Sequence, residues 1–61
     1  MDTINEVVKH FGGQYRLAGA LNVSSAAVCL WIKGEKIPPL RAIQIEELTD
    51  GKFKAKDLIG E

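Results

Sequence analysis

The five residues ALNVS, positions 20–24, leave the chain little freedom in how it turns. They lie between two stretches with helical apolar spacing, so whatever joins those helices must be done in about three residues. Asn22 is one of the few non-glycine residues that accepts a positive φ. Ser24 is a good N-cap for a helix starting at residue 25. Upstream, GQYRLAGAL turns Leu17, Ala18 and Leu21 to one side, with Gly13 a tolerable N-cap. Downstream, Val28 and Trp31 share a face, and Gly34 supplies a stop. Two helices meeting across so short a turn must cross steeply, which requires a small residue at the contact, and Ala18 provides it. Leu17, Leu21, Val23, Val28 and Trp31 fill the inside. These positions together define a helix-turn-helix over residues 14–32.

The flanks read as further helices. Thr3 stands three before Glu6, a capping-box spacing. Ile4, Val7, Val8 and Phe11 then form one apolar stripe, and Gly12 ends it. His10 falls in the last turn, where the helix dipole favours a cation, and is read as a surface residue. After GEKIPP, Pro38 and Pro39 suit a helix start. LRAIQIEELTDG is then a fourth helix closed by Gly51. Its Leu40, Ile43 and Leu48 are expected to face the core, while Ala42, Ile45 and Thr49 lie on another stripe. That second stripe calls for either a dimer partner or coverage by the tail. The tail alternates Lys52, Phe53, Lys54, Ala55, Lys56, as a short extended segment would, yet KAKDLI equally fits a helical turn.

A chain of 61 residues forms one domain, 1–61, and buries only about 60% of its unfolded surface. Help from a second copy is therefore expected. No apolar run reaches the roughly 18 residues of a membrane span and no signal peptide opens the chain, so a cytoplasmic protein without a membrane partner is expected. One cysteine and one histidine exclude an internal disulfide and cysteine-pair or histidine-pair metal sites; neither metal nor other cofactor is expected. Ser24, Ser25, Cys29 and His10 are the candidate nucleophiles and bases, and His10 lies in another helix. No paired-carboxylate or phosphate-loop spacing appears, so neither an enzyme nor a small-molecule substrate is expected. The net charge is zero, which counts against a strongly cationic nucleic-acid binder, so the placement of charges must decide.

The stretch FGGQYRLAGALNVSSAAVCLWIKG resembles the helix-turn-helix of phage Cro and repressor proteins. IPPLRAIQIEELTDGKFKAKDL resembles the C-terminal part of small Cro-type regulators and of their relatives, the YdaS-like antitoxins. The resemblance implies an all-α, lambda-repressor-like fold of four to five short helices. It implies a sequence-specific DNA-binding transcriptional regulator, a Cro-type repressor acting in a bacterial host. Such a protein sets its second motif helix in the major groove of double-stranded DNA, as a dimer on a palindromic operator. The base-facing positions it implies are Ser25, Ala26, Cys29 and Leu30, next to the capping Ser24. The last two are commonly polar in the family, but here they are cysteine and leucine. This face lacks the bidentate contacts that best separate bases; it can touch thymine methyls, and DNA shape can add specificity.

The remaining contacts follow from charge and helix geometry. Gln14 opens the first motif helix, whose free N–H groups suit a phosphate, and Tyr15 and Arg16 extend from the same turn. Lys33 and Lys36 follow the second motif helix within reach of flanking phosphates. Lys52, Lys54 and Lys56 either add to this or solvate the tail. Glu46, Glu47 and Asp50 belong on the far side. A weak homodimer is expected through the fourth helix and tail, with Ile45 and Phe53 as its contacts. The alternative to DNA binding is a helix-turn-helix used for protein interaction, or an antitoxin of the YdaS-like kind.

Overall fold

The structure, a computed structural model, describes residues 3–59. Five helices follow in order: α1 (Thr3–Phe11), α2 (Gln14–Leu21), α3 (Ser25–Ile32), α4 (Pro39–Leu48) and α5 (Ala55–Ile59). The all-α expectation holds, and the tail is helical over Ala55–Ile59, with residues 52–53 in a bend and 52–54 forming no strand. In α1, Val7 is fully buried, with Ile4, Val8 and Phe11 packed on the core beside it. Glu6 in the first turn and Lys9 in the last complement the helix dipole. Thr3 is already a helical residue, not the N-cap that its spacing to Glu6 implies.

The first four helices all end in the same way. In each, one N–H reaches back five residues and the preceding N–H reaches back three, the Schellman arrangement that closes orphan carbonyls. The longer bonds are Gly13 N–H to Val8 O (2.9 Å), Val23 to Ala18 (3.0 Å), Glu35 to Leu30 (3.0 Å) and Gly51 to Glu46 (2.8 Å). The residue that turns the chain is Gly12, Asn22, Gly34 and Asp50 in order, each at positive φ. Three of these are the stops expected from sequence. At the fourth, Asp50 takes the turning position one residue before the anticipated Gly51, and Gly51 continues at φ 82°.

The core joins all five helices: Val7, Leu17, Ala18, Leu21, Val28, Trp31, Ile37, Ala42, Ile45, Phe53 and Leu58. Helix α4 is rotated opposite to the sequence expectation. Ala42, Ile45 and Thr49 are buried, whereas Leu40, Ile43 and Leu48 are 64%, 47% and 53% exposed. The tail causes this. Thr49 Oγ1 donates to the Ile45 carbonyl (2.7 Å) and accepts from Phe53 N–H (3.3 Å), which draws Phe53 inward. A carboxylate oxygen of Glu46 accepts the Ala55 N–H at 2.8 Å and so caps α5, which brings Leu58 into the core. Glu46 is thus a half-buried cap rather than a free outer charge. The ring of His10 meets Phe11 and Phe53 edge-on, with centroids at 5.5 and 5.6 Å.

These contacts correct the expected dimer residues. Ile45 is fully buried and Phe53 is 8% exposed, both within the chain's own core. Neither offers a surface to a second copy. The tail covers the stripe that was left open in the sequence, and the opposite stripe of α4 remains uncovered.

Candidate nucleic-acid interface

Between α2 and α3 the chain direction changes by 118°, within the steep range of a helix-turn-helix. The turn is made by Asn22 at φ 59°, ψ 43°, the left-handed conformation that its short polar side chain tolerates. Ser24 is extended, and its Oγ accepts the Ala27 N–H at 3.2 Å, the N-cap of α3. Ala18, 4% exposed, lets the two helices approach. Val28 and Trp31 anchor the inner side of α3, with Ala27 and Ile32 half-buried beside them.

Anchoring Val28 and Trp31 fixes what α3 shows to solvent. Ala26, Leu30 and Lys33 are exposed, Leu30 to 50%, and Ser25 and Cys29 are half-buried at the edge of that face. Four of these five, Ser25, Ala26, Cys29 and Leu30, are the positions singled out from the resemblance, and the fold gathers them on one surface. Ser24 is exposed beside them, but its oxygen is engaged by the helix it caps.

The start of α2 differs from that of α3. Its N-cap is Gly13, at φ 134°, ψ 160°, and no side chain caps the helix. The first N–H groups of α2 are left open, as an anion-binding helix start requires. Gln14 is half-buried at that end, and Tyr15 projects 76% exposed. Arg16 is exposed, with its stem across Gly12: a Cβ added there would stand 3.1 Å from Arg16 Cδ. Lys33 and Lys36 are exposed at and beyond the end of α3, with exposed Glu35 between them. Lys52, Lys54 and Lys56 are exposed around the start of α5.

One contact was not anticipated. Arg41 of α4 donates through Nη1 to the Leu21 carbonyl (3.2 Å) and to Gln44 Oε1 (2.7 Å). The Leu21 carbonyl belongs to the last residue of α2, where a cation is favoured by the dipole. Arg41 thus ties α4 to the turn of the motif. The i, i+3 spacing to Gln44 was visible in the sequence, but the link to a carbonyl twenty residues away was not.

Among the described residues, no group of His, Cys, Asp and Glu gathers as a metal site would require, and no single helix is long and apolar enough to cross a membrane. His10 packs against phenylalanines on α1 and near α5, while Cys29 lies on α3.

The steep helix pair, the left-handed turn and the outward face of α3 place the chain in the helix-turn-helix class. Comparison with known proteins narrows this. The model of the family described as "DNA-binding transcriptional regulator Cro" matches residues 3–61, and the chain belongs to that family. It is 43% identical over 60 residues to the regulatory protein Cro of Pseudomonas phage D3, covering 95% of this chain and 82% of that protein. It is 40% identical over 52 residues to the regulatory protein Cro of Salmonella phage P22, covering 85% of this chain and 82% of that protein. No solved structure gives a significant match.

Proposed function

We propose that this chain is a sequence-specific repressor that sets α3 in the major groove of an operator and excludes polymerase from it. The observation that carries this reading is the surface described above: the outward face of α3 beside the uncapped start of α2, with Arg16, Lys33 and Lys36 exposed around it. Gln14, Tyr15 and Arg16 are assigned to phosphates on one side of the groove, and Lys33 and Lys36 to phosphates on the other. Ser25, Ala26, Cys29 and Leu30 are assigned to base edges. Ser24 positions the helix and keeps a hydroxyl proton to donate.

The folded chain measures 23 × 22 × 20 Å, whereas successive major-groove faces lie about 34 Å apart. One copy therefore serves one half-site, and a palindrome takes two. The exposed stripe of Leu40, Ile43 and Leu48 replaces Ile45 and Phe53 as the contact between copies. An area this small makes a weak dimer, stabilised by adjacent binding on DNA.

Selection of bound duplexes from random DNA, at two salt concentrations, tests the reading. A two-fold site whose affinity falls steeply with salt is expected, because bound phosphates release counterions. Arg16→Ala is expected to weaken binding to all sequences and to lower the salt slope by roughly one unit. Absent or salt-insensitive binding would instead favour a protein-docking module, the use that the apolar outward face of α3 supports.

A further inference from the structure

The reading face of α3 offers very little hydrogen bonding. Ala26 and Leu30 project from it as alkyl groups, with the Cys29 thiol half-buried alongside. Of the two hydroxyls at its start, Ser24 Oγ already accepts a backbone N–H. In the major groove a base pair is told apart by donors, acceptors and one apolar group, the methyl on C5 of thymine. Amide and guanidinium side chains read the first two. An alkyl surface reads only the third.

At C4, next to that methyl, thymine carries an acceptor and cytosine a donor. Ala26 and Leu30 can pair with neither, so both polar groups meet the same alkyl surface and their desolvation costs largely cancel. What distinguishes one pyrimidine from another is then whether C5 carries a methyl. A cytosine methylated at C5 presents that methyl in the same place. We propose that Ala26, Cys29 and Leu30 read the C5-methyl group rather than the base, so that 5-methylcytosine substitutes for thymine beneath α3. This rests on the DNA-binding reading above and adds a regulatory property: affinity for a site rises when its cytosines beneath α3 are methylated at C5.

The test changes the DNA and leaves the protein intact. Each thymine beneath α3 in the selected duplex is replaced in turn by uracil, by cytosine paired with guanine, and by 5-methylcytosine paired with guanine. Affinity is then measured by competition. Burial of one methyl corresponds to about fourfold in affinity. Uracil and cytosine are each expected to weaken binding by about that factor per position, and 5-methylcytosine to restore most of it. Leu30→Ala, at an exposed position, is expected to bring the thymine-to-uracil ratio toward one at the position it covers, with thermal midpoint and salt slope unchanged. A selected site with no thymine beneath α3 overturns the proposal while leaving DNA binding in place. So does equal affinity for thymine and uracil, or 5-methylcytosine binding no better than cytosine. Failure to select any site overturns the DNA-binding reading and this proposal with it.

Discussion

Helices α3 and α4 pose the same problem, because each carries apolar residues on two sides and only one side can be buried. In α3 the sequence alone identifies the inner side; in α4 it points to the wrong one. The difference lies in what sets each helix's rotation. Before α3 stand Asn22, in a left-handed turn, and Ser24, capping the Ala27 N–H. Both act within a few residues, so α3 can face only one way relative to α2. Before α4 stand Pro38 and Pro39, which fix where the helix begins but not which way it faces. That is decided by partners elsewhere: Arg41 on the Leu21 carbonyl, Glu46 on the Ala55 N–H and Thr49 on the Phe53 N–H. At 3.6 residues per turn, Arg41 and Glu46 lie on either edge of the Ala42–Ile45–Thr49 stripe and hold it inward.

The largest effects should come from the inner sides of these two helices. Trp31→Ala is expected to destabilise the chain by about 3–5 kcal/mol, and Ile45→Ala by about 2–5 kcal/mol. In a domain this small each kcal/mol lowers the thermal midpoint by about 4–8 °C, so a calorimetric melt resolves both. An Ile45→Ala melt no lower than that of Ile43→Ala would break the assigned rotation of α4. Ser24→Ala removes the local pin of α3 and is expected to cost about 1 kcal/mol, read from the same melt. The smallest stability changes belong to the outward sides. Leu30→Gln and Ile43→Ala should each stay within about 0.5 kcal/mol. Leu30→Gln should change the preferred bases in a selection experiment. Ile43→Ala should keep them and weaken only the binding of two copies together. If Leu30→Gln unfolds the chain, Leu30 belongs to the core and the reading face is misassigned.

The same division explains how much could be read in advance. The helix-turn-helix was legible because small residue, turn residue, cap and inner apolar residues all act over short separations. The gathering of Ser25, Ala26, Cys29 and Leu30 on one side of α3 follows from those restraints. The tail was not legible, because the alternation of Lys52 to Lys56 suits a strand and a short helix alike. Its helical form depends on a carboxylate nine residues upstream. Ile45 and Phe53 were misplaced for the same reason, since their burial rests on the tail folding back. Arg41 carried no local signal of its long-range partner. The uncapped start of α2 was partly visible: glycine at position 13 already meant that no side chain would occupy it.

The uniform helix endings have a consequence for the chirality of the chain. At Gly12, Asn22, Gly34 and Asp50 the backbone adopts the conformation that a D-amino acid prefers and an L-amino acid resists. Where each of these helices stops is therefore set by local handedness, whereas how the next one packs depends on side chains such as Ser24, Arg41, Glu46 and Thr49. Glycine meets the requirement twice by having no handedness, and asparagine and aspartate meet it with short polar side chains. An L-alanine at Gly34 would oppose the turn between α3 and α4, and a D-alanine would reinforce it. Each of the first four helices in this sense ends where the chain locally reverses its own chirality, over one residue at Asn22 and Gly34 and over two at Gly12–Gly13 and Asp50–Gly51.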